Sequence, residues 1–207
     1  MRYYDMDRDS ELELVRRIRA GDTDAFDAVH AHFNARLLGF LVRLSGNRTA
    51  AEDLLEETWL RFVERADRLT PDTRLGPWLF TVARNLHVSH CRARAVELSP
   101  AQAGIGLWPT IAPDSPFEQA VGHEFERRIE QAIASLPVAF REVLLLVAVE
   151  GLQAIEAARV CGISAEALRQ RLSRARARLR DRLDDTSTLH ETCEVRHGVK
   201  RTTRPGA

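Results

Sequence analysis

Apolar residues along the chain recur every three or four positions, which is the spacing of one face of an α-helix. This pattern predicts two helices over residues 10–46, a third over 50–67 and a fourth over 77–95. Residues 123–183 return to the same spacing after an interruption, and no segment alternates with the period of two that a strand needs. The sequence therefore predicts an all-α fold.

Prolines and glycines divide the chain into two helical domains. Several of them fall between residues 97 and 122, where they exclude a long helix and predict a flexible linker. The linker separates a first domain over residues 10–96 from a second over 123–183. Residues 184–207 are polar and end in Arg-Pro-Gly-Ala, so we expect a frayed tail.

Helix ends are marked by glycines and short polar residues. Gly46 is expected to end the second helix, and Asp24 and Thr49 are the candidate N-caps of the second and third helices. Each assignment is a local prediction that the structure can test.

Residues 162–182 contain the most informative segment. Gly162 supplies a turn residue that tolerates a left-handed backbone, and Ser164 is a favourable N-cap for the helix that follows. The preceding helix carries Ala157 and Ala158, which suit a close crossing of two helices. A helix with small residues, a glycine turn and a capped second helix form the order of a helix-turn-helix.

The second helix of this motif combines an apolar stripe with an arginine-rich surface. The stripe consists of Leu168, Leu172, Ala175 and Leu179. The other faces carry Arg169, Arg171, Arg174, Arg176, Arg178, Arg180 and Arg182. Such a helix fits the DNA major groove and its phosphate walls, although solvated, coiled-coil and membrane-surface helices share this charge pattern. The glycine turn and the helix before it favour DNA binding.

Charge is balanced overall, with 30 basic and 30 acidic residues, but it is unevenly distributed. Residues 52–67 are mostly acidic, whereas 84–94 carry arginines and no acid, and 169–182 carry seven arginines against Asp181. Separate blocks of opposite sign indicate one surface for a protein partner and another for nucleic acid.

Several classes of protein are not favoured by the sequence. No segment has the apolar length of a membrane span or the core of a signal peptide, and three scattered cysteines fit a reducing compartment. We therefore expect a cytoplasmic protein without membrane insertion. No glycine-rich phosphate loop, catalytic metal-ligand pair or nucleophile motif is present, so we expect neither an enzyme nor a cofactor.

Four segments, in their order and spacing, resemble a bacterial extracytoplasmic-function (ECF) sigma factor of the minimal two-domain class. Residues 51–62 resemble the acidic helix of the family's second conserved region, and 78–85 resemble its Trp-Leu-x-x-Ile-Ala-Arg-Asn helix. Residues 136–144 resemble the Leu-Pro…Arg-Glu-Val-Leu signature of the fourth region, and 151–180 its helix-turn-helix. The resemblance covers nearly all of residues 10–183. It implies a region-two-like bundle and a region-four-like domain.

The resemblance implies docking on core RNA polymerase. The acidic helix would meet the clamp helices of the largest subunit, and the partners would also include the flap of the second-largest subunit. The implied polymerase-binding residues are Asp53, Glu56, Glu57, Trp59 and Arg61. Complementary charge favours fast docking, and a solvated helix face is the alternative. An anti-sigma factor, released by a stress, envelope or environmental signal, would regulate the protein.

For promoter DNA, the resemblance assigns the fourth helix to the minus-ten element. The implied residues are Arg84, Asn85, Ser89, Arg92 and Arg94. Asn85 can pair with a base edge, whereas the arginines can hold phosphates. The loop over residues 68–74 would help to hold an unstacked base. Trp78 lies on the apolar stripe, so core packing explains it better than a stacking role.

The helix-turn-helix is assigned, again by resemblance, to the minus-thirty-five element. The implied base-reading residues are Arg169, Gln170, Ser173 and Arg174. The remaining DNA-binding residues are Ser164 at the start of the helix and Arg171, Arg176 and Arg178 at the phosphates.

Two positions depart from the family pattern. Glu56 replaces the usual glutamine and adds a charge to the docking helix. Ala157 replaces an isoleucine, and the lost branch is expected to loosen the surrounding core by about 2–4 kcal/mol unless packing compensates.

Other functions remain as alternatives. A sigma-like decoy would bind an anti-sigma factor without starting transcription, and an ordinary helix-turn-helix repressor would not need the acidic helix. In the tail, His190, Cys193 and His197 have a spacing that a partial zinc or copper site could use. Ordinary tail residues explain them better, because there is no second ligand pair.

Overall fold

A computed structural model describes the backbone of residues 7–97 and 124–197, and the side chains of 7–96 and 126–184. Eight α-helices lie within these ranges, and the described backbone contains no β-strand. The prediction of an all-α fold is confirmed. Apart from Glu97, the predicted linker lies outside the described residues.

Four helices form the first unit, with α2 at its centre in contact with the other three. They are α1 (Arg8–Arg19), α2 (Thr23–Ser45), α3 (Arg48–Glu64) and α4 (Leu75–Glu97). Apolar positions one helical turn apart on α2 are completely buried, including Leu37, Phe40, Leu41 and Leu44. The ring of Phe40 meets that of Phe80 edge-on, with centroids 5.3 Å apart. The predicted core of this unit is therefore confirmed along α2.

Two predicted N-caps are wrong by two residues. Asp22, and not Asp24, caps α2, because its carboxylate accepts hydrogen bonds from the first free backbone N–H groups. Asn47, and not Thr49, caps α3, since its Oδ1 accepts from the N–H of Ala50 at 2.9 Å. Each helix begins earlier than its apolar pattern indicates, so the cap lies further upstream.

Asn47→Ala is expected to destabilise the protein by about 1 kcal/mol, because the N–H groups at the start of α3 lose their acceptor. Thr49→Ala is the matched control, since Thr49 is exposed in the first turn of the same helix. Urea denaturation of both variants checks the difference. Equal losses of stability would contradict the assignment of the cap.

The second unit contains four helices. They are α5 (Glu124–Ala134), α6 (Val138–Leu144), α7 (Ala154–Cys161) and α8 (Ala165–His197). A π-helical turn, Leu145–Val149, extends α6, and α8 packs against α5, α6 and α7.

The predicted helix-turn-helix is formed by α7 and α8. Gly162 ends α7 in the left-handed conformation, with φ of 66°. The hydroxyl of Ser164 accepts a hydrogen bond from the N–H of Ala167 at 3.1 Å, which is the predicted N-cap. Leu168 and Ala175 are completely buried on the inner face of α8. Turn, cap and apolar stripe are all confirmed.

The helix α8 continues beyond residue 183, where a frayed tail was expected. It runs to His197, because residues 184–197 contain neither proline nor glycine and the first glycine is Gly198. The side chains of His190, Cys193 and His197 lie outside the described residues. Among the side chains that are described, no three or more metal-ligating groups come together. None of the described helices has the length and apolar content that crossing a bilayer requires.

Candidate functional site

The exposed side of α8 presents the predicted base-reading residues. Arg169, Ser173, Arg176 and Arg180 follow one another at steps of four, three and four, so they share one face of the helix. Gln170 and Arg174 form the neighbouring row, and the side chains of both rows are exposed. The structure thus brings the predicted minus-thirty-five residues together on a surface that is free of the unit's core.

An acidic residue that sequence reasoning missed lies at the start of this surface. Glu166 accepts hydrogen bonds from Nη2 of Arg169 at 2.6 Å and from Nε2 of Gln170 at 3.3 Å. These bonds, that of Arg169 first, hold the pKa of the Glu166 carboxyl below its usual range. Its spacing of three and four residues from the two partners was the available signal. DNA bases would have to replace Glu166 as the partner of both side chains.

Two of the predicted phosphate contacts have partners within the unit. The guanidinium of Arg178 lies 4.6 Å from the centre of the Phe140 ring, while its side chain stays exposed. Arg171 is half-buried, near Cys161. Arg176 is exposed on the DNA-facing side. The three arginines are therefore not equivalent.

The predicted minus-ten residues on α4 lie on more than one side of the helix. Asn85, Ser89 and Arg92 recur at steps of four and three and form an exposed row. Arg94 is exposed on another side. Arg84 faces the second unit, where its Nε donates to Oε2 of Glu142 at 3.1 Å.

One predicted surface residue of α4 is buried. His87 is only 4% exposed, and its Nε2 lies 3.6 Å from Sγ of Cys91. Burial, reinforced by the nearby His90, Arg141 and Arg84, lowers the pKa of His87 to about 4. The sequence-based assignment of His87 to the polar surface is wrong, because the second unit packs against α4.

The loop before α4 is fixed by side chains from α1. Arg8 donates to the carbonyl of Asp72 at 2.7 Å, and Glu11 accepts from the N–H of Leu75 at 2.7 Å. Glu11 also pairs with Arg74 at 2.9 Å. The loop of residues 68–74, predicted to help hold a base, is thus attached to the body of the first unit.

Trp78 lies in the first turn of α4 and is half-buried against the core. Its ring meets that of Phe62 at a centroid distance of 5.6 Å. This position supports the interpretation of Trp78 as a packing residue.

The predicted polymerase-facing side of α3 is acidic and also apolar. Asp53 and Glu56 are exposed, and Glu57 pairs with Arg61 at 2.8 Å. The same face carries Leu60 and Val63, which are 59% and 56% exposed. Sequence analysis had placed Val63 in the core. Exposed apolar side chains ringed by charge are typical of a protein-docking surface.

Trp59 does not belong to this face, contrary to its assignment as a polymerase-binding residue. It is 8% exposed and packs within the core of the first unit. Its indole Nε1 donates to Oδ1 of Asn34 at 2.9 Å. The reason is its position on the apolar stripe of α3, so Trp59 supports the docking helix from beneath.

The departures from the family pattern have clear positions. Glu56 stands on the exposed face of α3. Ala157 and Ala158 are buried where α7 packs against both α8 and α4. Small side chains permit two helices to approach α7 at once, which favours compensation for the missing isoleucine branch.

The described cysteines are free and buried. Burial raises the pKa of both Cys91 and Cys161, and the nearby Glu142 carboxylate adds to the rise at Cys161. Both side chains therefore stay protonated thiols.

Known proteins share both units. The family model of sigma-70 region 2 matches residues 29–96, and that of sigma-70 region 4 matches 126–179. The ECF RNA polymerase sigma factor EcfG of Rhodopseudomonas palustris is 37% identical over 69% of this chain and 76% of its own length. The chain belongs to the ECF sigma factor family. The sigma factor CarQ of Myxococcus xanthus is 33% identical to this sigma factor over 83% of the chain and 96% of CarQ.

A solved structure supports the same conclusion. The sigma factor RpoE of Bartonella quintana, crystallised with the anti-sigma factor NepR, superposes with a TM-score of 0.63 at 26% identity. The match covers 77% of this sigma factor and 96% of RpoE. Membership of the family makes core RNA polymerase and promoter DNA the partners, and it disfavours the repressor and decoy alternatives.

Proposed function

We propose that this sigma factor binds core RNA polymerase through α3 and reads a promoter through α4 and α8. The observation that carries the proposal is the exposed arginine face of α8 on a correctly capped helix-turn-helix. The first domain would comprise residues 10–96 and the second 123–183, joined by a linker over 97–122. The protein would work by binding and not by catalysis, in the cytoplasm, where polymerase and DNA are found.

The face that would dock on the polymerase consists of Asp53, Glu56, Glu57, Leu60 and Arg61. Its carboxylates would guide the approach to a basic partner, and the exposed leucine would contribute desolvated contact area after docking. By analogy with RpoE and NepR, we also propose an anti-sigma factor that covers this face under non-inducing conditions.

In vitro transcription tests the proposal. Core RNA polymerase with this protein, on double-stranded promoter candidates that include the region upstream of its own gene, is expected to give transcripts that depend on the protein. Tight binding to core polymerase without a transcript from any template would favour the decoy alternative.

Arg174→Ala is expected to weaken binding to the minus-thirty-five element by about 1–3 kcal/mol and to relax its sequence preference, because a bidentate base contact is lost. Arg16→Ala removes the same charge from α1, away from α8, and serves as the control. Fluorescence anisotropy on matched and mutated promoter duplexes measures both effects. Equal affinities of the two variants would exclude Arg174 as a base reader.

Glu56→Lys is expected to slow association with core polymerase by roughly tenfold at low salt, because it reverses a charge at the docking face. Glu56→Gln restores the residue usual in the family and should change the rate much less. Stopped-flow association at several salt concentrations checks both. An unchanged rate for Glu56→Lys would place the docking surface elsewhere.

A further inference from the structure

The two units of this sigma factor meet through ion pairs of one consistent polarity. In each pair, the first unit contributes the arginine and the second unit the glutamate. The pairs are Arg36–Glu150 at 3.2 Å, Arg43–Glu130 at 2.8 Å, Arg74–Glu156 at 3.3 Å and Arg84–Glu142 at 3.1 Å. We call this set the arginine–glutamate latch. Pairs with the same polarity complement each other across a whole interface and disfavour other dockings.

Two pairs of the latch are shielded from water. The side chains of Arg36 and Glu150 are 12% and 4% exposed, and Nη2 of Arg36 also donates to the Glu150 carbonyl at 3.0 Å. Those of Arg84 and Glu142 are 20% and 6% exposed. Shielding from solvent weakens the screening of these pairs by salt.

A further arginine reaches across the interface in the opposite direction. Arg141 of α6 donates through Nη1 to the carbonyls of Arg43 and Leu44, both at 3.2 Å. These carbonyls lie in the last turn of α2, where helix carbonyls lack partners and the helix dipole favours a cation. Its Nη2 donates to carbonyls of its own unit, at Ala134 and at Leu136. Arg141 therefore joins the end of α2 to the second unit.

Apolar packing joins the units as well. The buried hydrophobic side chains of both units form one continuous core, and α7 lies along α4. A contact that combines a shared core with polarised ion pairs has the character of a specific interface.

The position of Arg84 connects this interface to promoter binding. Its guanidinium is held by Glu142, and a DNA phosphate would need the same N–H groups. We propose that this sigma factor closes on itself, with the arginine–glutamate latch docking the second unit on α4 and so withholding Arg84 from promoter DNA. The withholding step rests on the proposed function of α4, whereas the closure itself does not.

The Arg43–Glu130 pair allows a charge-swap test, because both side chains are only partly buried, at 32% and 41% exposure. Arg43→Glu and Glu130→Arg each place like charges together and are expected to raise the ratio of open to closed protein by about tenfold or more. The double variant Arg43→Glu/Glu130→Arg should restore closure. Arg48→Glu, at an exposed pair within α3, is the matched control.

Small-angle X-ray scattering of the full chain reports the radius of gyration, and circular dichroism confirms that each variant is folded. Wild type, the control and the double variant should be compact at low salt, and both single reversals expanded. An expanded wild type, single reversals as compact as wild type, or a double variant that stays open would overturn the closure.

A single-stranded oligonucleotide of minus-ten type then tests the withholding step on the same proteins. The single reversals should bind it several-fold more tightly than wild type, and the double variant should return to the wild-type affinity. Expanded variants with unchanged affinity would overturn the withholding of Arg84 but not the closure. No binding by any protein, even when open, would instead contradict the proposed minus-ten function of α4.

Discussion

Glu150→Gln is expected to stabilise this sigma factor above neutral pH by up to about 3 kcal/mol. Burial raises the pKa of Glu150 from 4.5 to about 7, and the attraction of Arg36 and Arg43 only partly offsets that rise. A carboxyl that holds its proton more tightly when folded adds stability below pH 4.5. That contribution is lost as the pH rises through about 7. The difference between the two pKa values corresponds to about 3 kcal/mol, and the amide permanently mimics the neutral carboxyl.

Chemical denaturation of wild type and Glu150→Gln across the range from pH 4.5 to above 7 measures this effect. The variants should coincide at the acidic end and separate as the pH rises, with Glu150→Gln the more stable. A variant that is instead less stable above pH 7 would show that the ion pair with Arg36 outweighs the cost of burying the charge.

His87→Leu is expected to protect the protein against acid by a similar amount, about 3 kcal/mol near pH 4. Burial lowers the pKa of His87 from 6.5 to about 4, with the positive charges of His90, Arg141 and Arg84 adding to the shift. An imidazole that is harder to protonate when folded contributes stability above pH 6.5. That contribution is lost as the pH falls from 6.5 through about 4. Leucine carries no proton and removes this dependence.

The two residues act with opposite sign in overlapping pH ranges, which gives the second prediction its own control. In His87→Leu, stability should fall as the pH rises from 4.5 to 7, whereas in Glu150→Gln it should rise between pH 4 and 6.5. The double variant should depend on pH less than either single variant. Single variants with parallel pH profiles would contradict the assignment of these shifts to the two residues.

The helix-turn-helix is the part of the molecule that the sequence predicts best, because everything that determines it is local. The glycine turn, the cap at Ser164 and the buried Leu168 follow from residues a few positions apart, and the structure confirms each of them. Helix starts were less accurate at Asp22 and Asn47. There, neighbouring short polar residues can all accept the same hydrogen bonds, so the pattern does not distinguish among them.

The contacts between the units could not be predicted, for a physical reason. Periodicity reveals which side of a helix is apolar, but not which polar side another unit later covers. For this reason His87 was placed at the surface, and Arg84 was assigned to phosphates without its partner, Glu142, 58 residues away. Arg36 and Glu150 are separated by 114 residues and leave no local pattern at all. The candidate DNA residues of α8 were predictable as a surface, whereas the accessibility of α4 was not.

Glu156 takes part in two different structures with its two carboxylate oxygens. Oε2 accepts from the N–H of Gln153 at 3.0 Å and completes the capping box that starts α7. Oε1 pairs with Arg74 of the first unit at 3.3 Å. Because different atoms serve the two contacts, separation of the units would release one oxygen while the other still capped the helix. The second unit can therefore move away as a rigid body, with its DNA-reading geometry already formed before any promoter is met.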